Sequence, residues 1–224
     1  MSDPALKVTA GAASVVPAVA ASRQTPVGAI DLAIALDRTA SSIVFQKGIG
    51  IFARMFLSEI ERLSPSARCW VQSHGDEDFG ERPELLTDGE SPAQALDDIL
   101  RVSYVGGGDL PETHSSAIEH CLDLVPWRSA SGTGTGILLF LGTHETKPAA
   151  SGRSARDIGR EIRRLGILFY ALCEPTNELC RLVRSARGVL LPISNDPPRE
   201  KVEELARAAR RSVRASVGRS RGAQ

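Results

Sequence analysis

Apolar residues recur along this chain with two alternating periods. Residues 29–36 (AIDLAIAL) are apolar at nearly every position, the pattern of a strand covered on both faces of a parallel sheet, with Asp31 as its one polar exception. After the polar stretch Asp37-Arg38-Thr39-Ala40-Ser41-Ser42, apolar side chains return at helical spacing: Ile43, Phe45, Ile49, Phe52, Phe56, Ile60 and Leu63. Ser64-Pro65 ends that run. Cys69, Trp70 and Val71 begin a second strand running toward His74, and an acidic turn over residues 75–80 leads to a weaker strand around Leu85 and Leu86. Ser91-Pro92 carries a helix-start signature, a capping hydroxyl followed by proline at the first helical position; Ala95, Leu96, Ile99 and Leu100 supply that helix's apolar stripe. Further along, the spacing predicts a helix over 111–124, a buried strand over 137–141, a helix over 155–165, a strand over 167–173, a helix over 176–185 and a strand over 188–193.

This alternation predicts the α/β class: a doubly wound, mostly parallel sheet with helices on both faces, right-handed crossovers, and the strand near Leu85 as one antiparallel edge. The expected organisation is a flexible arm over 1–27, one domain over 28–196, and a basic helix with a tail over 197–224. Prolines at the start, acids in the first turn and arginines later suit the last helix to its macrodipole. From Arg199 onward, eight basic residues face three acidic ones, so this segment could touch nucleic acid or an acidic partner. A solvated helix face is the simpler expectation, and no tandem repeat is visible.

Composition narrows the functional classes. With 42% hydrophobic and 24% charged residues the chain reads as a soluble globular protein. Lys plus Arg equals Asp plus Glu at 27 each, so no global field draws it to nucleic acid or an anionic bilayer, and partners must be sought locally. No apolar run approaches the ~20 residues that span a membrane. The Ala- and Val-rich start carries Asp3, Gly11 and Pro17 and lacks a strong Leu/Ile/Phe stretch, which argues against a secretion signal. Cys69, Cys121, Cys173 and Cys180 show no zinc-ligand spacing and read as buried free thiols. A cytoplasmic location is therefore expected.

Two polar loops fall where ligands bind in such sheets, beyond the carboxyl ends of the strands. The first is Asp37-x-Thr39-x-Ser41, where alternate residues of a tight loop aim one carboxylate and two hydroxyls at a common point. A hard cation such as Mg²⁺ prefers an all-oxygen set of that kind and keeps waters at its other positions. The second is GGGDLPE, residues 106–112, in which Asp109 and Glu112 add further oxygens. Duller roles exist for all of them. Asp37, Thr39 and Ser41 can cap the following helix, and Glu112 suits a helix's first turn without any metal. Asp76 and Asp78 sit in a turn and are expected to be solvated; His114 and His120 are expected on a helix surface. GTGTG, residues 132–136, precedes its strand and so is no phosphate-binding loop.

LDRTAS, residues 36–41, resembles the metal-ion-dependent adhesion site (MIDAS) loop of von Willebrand factor A (vWA) domains, and GGGDLPE looks like that family's second site loop. The resemblance extends over the alternating elements from residue 29 to 195. It implies a metal site with Asp37, Thr39, Ser41, Glu112 and Asp109 as ligands and Mg²⁺ or Mn²⁺ as the ion. In the third loop the family's usual aspartate is replaced: after ILLFL the chain reads Gly142-Thr143-His144-Glu145, with Thr143 near the acid's place. A lost carboxylate weakens cation attraction, and Glu145 could compensate through water. The implied function is not enzymatic. It is a binding module in which the exposed cation accepts an Asp or Glu of a protein partner, in the manner of bacterial members that serve as adaptors in multicomponent complexes with an ATPase. Two alternatives stand beside it: a structural subunit whose metal loop has decayed, and a Mg²⁺-dependent phosphohydrolase using Asp37 as nucleophile. The last normally needs a second acid two residues on, where this chain has Thr39.

Overall fold

The structure, a computed structural model that describes residues 29–108 and 110–219, is built on one six-stranded sheet. Its strands are β1 (Ile30–Asp37), β2 (Arg68–His74), β3 (Glu84–Glu90), β4 (Thr135–Leu141), β5 (Ile167–Cys173) and β6 (Val189–Pro192), in the spatial order β3-β2-β1-β4-β5-β6. Only the β2–β3 pairing is antiparallel. The order runs outward in both directions from β1, so the carboxyl ends of β1 and β4 flank the topological switch point where a crevice opens.

Every residue of β1 is buried because helices cover both faces. Leu32, Ile34 and Leu36 pack into a layer with α1 (Gln46–Leu63), α2 (Pro92–Arg101) and α6 (Arg199–Arg219); Ala33 and Ala35 face α3 (His114–Leu124), α4 (Ala155–Arg164) and α5 (Asn177–Ala186). Asp37 shares the parity of the two alanines and therefore belongs to the α3 side. Asp31, the polar exception within β1, is fully buried. Its carboxylate takes the Arg68 Nε–H (3.1 Å), the Arg128 backbone N–H (2.8 Å) and the Arg128 Nε–H (2.9 Å), which ties the leading ends of β1 and β2 to the loop before β4.

Two element starts differ from the periodicity. The first helix is entered through a 3-10 turn, Ala40–Phe45, whose tighter winding rotates Ile43 and Val44 out to 53% and 45% exposure while Phe45 stays in the core. The third helix begins at His114 rather than at 111, because the preceding backbone bonds elsewhere. The Glu112 N–H donates to the Glu145 carbonyl and the Lys147 N–H to the Glu112 carbonyl, both at 2.8 Å, so this stretch forms a bridge to the loop after β4. Ser91 caps α2 as expected, accepting from the Gln94 N–H.

The basic C-terminal helix completes the core. Val202, Ala206, Ala209 and Val213 are fully buried against the α1 layer. Above that seam Glu59 of α1, 1% exposed, receives Arg214 (2.5 and 2.7 Å), Arg62 (2.6 Å) and Arg210 (3.0 and 3.1 Å). Hydrogen bonds from Arg214, then from Arg62 and Arg210, outweigh the effect of burial and hold the Glu59 carboxyl down to about 2. Arg199 and Arg207 pair with Glu203, and Lys201 pairs with Glu204. Much of the helix's positive charge is thus answered within the chain.

Replacing Glu59 by Gln is expected to cost about 2 kcal/mol in urea unfolding, since it leaves three guanidiniums without their shared carboxylate. Because the folded-state pKa lies below the unfolded one, this contribution is complete above about pH 4.5 and is lost as pH falls toward about 2. The gap between wild type and Glu59→Gln should close over that window.

Candidate metal centre

Asp37 ends β1 and is fully buried, and both of its carboxylate oxygens are engaged by the chain. Oδ1 accepts the Thr39 backbone N–H at 2.9 Å and the Thr39 hydroxyl at 2.7 Å. Oδ2 accepts the Ser42 hydroxyl at 2.5 Å, with the Thr143 N–H and hydroxyl further out at 3.4 and 3.3 Å. Thr39 gives its one hydroxyl proton to Asp37, so in its 2.9 Å contact with Ser41 the Ser41 hydroxyl donates. Lone pairs therefore remain on both oxygens, and Ser41 is exposed.

This donor set can be tested against a hard cation. Adjacent corners of an octahedron with bonds of ~2.1 Å lie ~3 Å apart, and the Thr39 and Ser41 hydroxyl oxygens stand at 2.9 Å. They fit as neighbouring ligands without rearrangement. No group of three or more His, Cys, Asp or Glu suited to a metal occurs among the described residues; the first loop itself offers two hydroxyls and one carboxylate.

Two imidazoles lie beneath Asp37. The His114 ring donates from Nε2 to the Thr143 carbonyl in a very short contact, and the same nitrogen is 3.9 Å from Asp37 Oδ2. Its Nδ1 must then accept from His74 Nε2, 3.0 Å away. Burial pushes both imidazoles below their ordinary range, His74 to about 3, so both are neutral at neutral pH. For Asp37 burial acts upward and is the largest influence. In acid, where His114 and His74 take up protons, their charge acts downward, and with hydrogen bonds from Ser42 and Thr39 it outweighs burial and leaves the carboxyl below the usual carboxylate range. At neutral pH, with the histidines neutral, the donors that meet the Asp37 carboxylate among the described residues are hydroxyls and backbone amides.

The second loop closes against the first through backbone bonds: the Val105 N–H donates to the Arg38 carbonyl (2.9 Å) and the Ala40 N–H to the Gly106 carbonyl (3.1 Å). Glu81 clamps this arrangement by accepting from the Gly107 N–H (3.0 Å) and the Asp76 N–H (2.9 Å). Gly106 has φ +86°, which strains any other residue, and a Cβ there would lie 1.9 Å from Glu81 Oε1 and displace the clamp. In the third loop a Cβ on Gly142 would meet the Phe140 ring at 2.5 Å and Asp37 Cβ at 3.1 Å; its absence lets the chain turn across the carboxylate.

Among the residues expected at the site, Asp37, Thr39 and Ser41 are brought together by direct contacts. Glu112 is buried at the same end of the sheet, and its backbone is held to the third loop. Asp109 lies outside the described residues. Thr143 stands at the third-loop position and reaches Asp37, whereas Glu145 is exposed and contributes its carbonyl to Glu112. His114, expected on a helix surface, is instead fully buried because α3 starts over the switch point; His120 is exposed, bonded to Gln72. Asp76, expected to be solvated, is buried, caps a 3-10 turn, and pairs with Lys147, which Asp78 also meets from the exposed side. Those two acids hold the Lys147 ammonium above its ordinary range against the opposing effect of burial. Ser42, His74 and Glu81 were not read as parts of the site from the sequence, and His114 was expected on a helix surface. Ser42 had a local signal, a third hydroxyl in the Asp37 loop. The others depend on long-range proximity.

No protein-family model matches the chain, and a search of curated proteins finds no match. Solved structures do resemble it. Proximal thread matrix protein 1 from the mussel byssus superposes with a TM-score of 0.59 at 15% identity, covering 82% of this chain and 46% of that one. The same mussel protein with a zinc-occupied MIDAS motif gives 0.56 at 17% identity, over 84% of this chain and 47% of that one. The chain thus spans about half the length of that protein. The SpRpn10 VWA domain gives 0.57 at 11% identity and is matched nearly end to end, 82% of this chain against 95% of that one. Identity this low establishes architecture alone. The fold of this chain is that of a von Willebrand factor A domain.

Proposed function

We propose that this chain is a metal-dependent protein–protein interaction module, a vWA-type adaptor or scaffold subunit that binds an acidic residue of a partner. The observation that carries the reading is the pair of Thr39 and Ser41 hydroxyls, spaced as neighbouring octahedral ligands beside a buried carboxylate with neutral partners. A bound Mg²⁺ or Mn²⁺ would supply the Lewis acidity that takes a partner's Asp or Glu as its last ligand. Thr39 and Ser41 would hold the ion through their hydroxyls and Asp37 directly or through water, with Glu112 and Asp109 as the second loop's oxygens. A MIDAS that holds zinc in a structural neighbour supports a metal role for this arrangement.

Thr143 shapes the expected affinity. With a hydroxyl in place of a carboxylate, the site carries less negative charge, so it binds cations weakly but leaves more of their charge for an anionic partner. The partner class is a protein presenting Asp or Glu, with a multicomponent bacterial complex containing an ATPase as the setting and the cytoplasm as the compartment. No helix among the described residues is long and apolar enough to cross a membrane. Internal pairing of Arg199, Lys201, Arg207, Arg210 and Arg214 makes nucleic-acid contact through the last helix a secondary role at most.

A second reading has its own observation. Asp37 already accepts from Thr39, Ser42 and Thr143, so the site can close on itself as a structural node with no ion. Calorimetric titration with Mg²⁺ and Mn²⁺ separates the two. Binding should be seen in wild type and weaken at least tenfold in Thr39→Ala and Ser41→Ala, about 1.4 kcal/mol or more; no heat in wild type would favour the structural node. Pull-downs with and without EDTA should lose at least one partner on chelation. In Thr143→Asp a second carboxylate beside Asp37 should lower the melting temperature in EDTA and raise Mg²⁺ affinity about tenfold, so that added Mg²⁺ restores the lost stability.

A further inference from the structure

A cleft of about 240 Å³ opens on the β3 edge of the sheet, lined among others by Arg38, Ser73, Glu84, Arg101, Ser103 and Val105. Two of its polar atoms have no hydrogen-bond partner among the described residues although both are buried: Arg38 Nε and Ser73 Oγ. Ser73 as a whole is only 1% exposed. A buried donor left unanswered costs about 1–3 kcal/mol, and here two belong to residues that line one cleft, with the exposed Arg101 at the end of α2 as a second guanidinium. A guanidinium N–H and a hydroxyl in the wall of one cleft form a donor set for an oxyanion. Glu84, exposed in the same lining, leaves a net charge of +1 among these groups, which suits a singly charged carboxylate better than a phosphate dianion.

The position of the cleft says whose carboxylate it takes. Arg38 is the residue between Asp37 and Thr39, and its carbonyl accepts from the Val105 N–H, so the loop that carries the candidate metal centre also supplies a wall of the cleft. We infer that the cleft is a second acid-binding subsite, and that the partner is a segment bearing two acidic residues close in sequence, one directed to the cation and one to Arg38 and Ser73. This deepens the reading above, on which its first half rests, whereas the cleft itself needs no metal. The space is worth about eight waters at ~30 Å³ each, enough for the end of a Glu or Asp side chain. Ser103 and the apolar edge of Val105 shape its wall.

The test uses the full chain and two fluorescent synthetic peptides, one with two glutamates two residues apart in a Gly/Ser background and one with a single glutamate, followed by anisotropy in Mg²⁺ and in EDTA. Wild type in Mg²⁺ should prefer the diacidic peptide by about tenfold or more. That preference should collapse to about twofold in Arg38→Gln and, independently, in Ser73→Ala and Arg101→Gln. In EDTA the diacidic peptide should keep weak binding that Arg38→Gln removes. Mg²⁺-dependent binding with no preference for the second acid, or a preference untouched by all three variants, overturns the subsite while leaving the metal reading intact. A preference that depends on Arg38 but not on Mg²⁺ keeps the subsite and overturns the metal reading. Displacement by inorganic phosphate at concentrations where acetate is inert, or no binding of either peptide in either buffer, overturns the carboxylate assignment.

Discussion

The structure turns on a carboxylate that has been taken out of water. Asp37 sits at the point where the sheet's strand order reverses, under α3 and with no exposed surface, and an ionised group in that position must be answered by donors or it will not stay charged. The surrounding sequence is organised to answer it. The loop after β1 turns back to present Thr39 and Ser42, and the third loop crosses over at Gly142 to bring Thr143 within reach. None of these donors carries a full positive charge. The site is therefore satisfied in hydrogen bonds yet remains electrically negative, which is the condition under which a cation at Thr39 and Ser41 gains most.

That arrangement is only as good as the relative placement of four loops, and each is fixed by a different device. Backbone bonds join the first loop to the second, and the Glu81 carboxylate then fastens the second to the turn after β2. The third loop is tied to the start of α3 through Glu112 and, through Lys147, to Asp76. Such devices share the same few ångströms, so a Cβ at Gly106 or Gly142 would push the Glu81 carboxylate or the Phe140 ring aside. Functional loops commonly owe their precision to supports of this kind rather than to intrinsic stiffness.

What could be read from the chain beforehand was whatever depends on neighbours in sequence. The apolar run of β1, the period change after Asp37 and the Ser91-Pro92 cap are local signals, and with the strict alternation of elements they were enough for the fold class. The Asp37-x-Thr39-x-Ser41 cluster was legible for the same reason. Residues that act at a distance were not: Glu81 meets Gly107 across 26 positions and His74 meets His114 across 40, and nothing in the local pattern of either announces its partner. Glu59 shows the same limit. Its place in the helical stripe looks ordinary until α6 lays Arg210 and Arg214 over it. The late start of α3 belongs with these, because the backbone there exchanged helical bonds for a bridge 34 positions away.

The paired imidazoles have one more consequence. A carbonyl oxygen owns no proton, so the contact from His114 to Thr143 admits a single direction, and that choice dictates the tautomer of His114 and through it that of His74. The row of N–H bonds from β2 through α3 to the third loop is therefore polarised like a one-way valve. The tautomers of the two rings are therefore linked, and the strand, the helix and the loop share one hydrogen-bonded row.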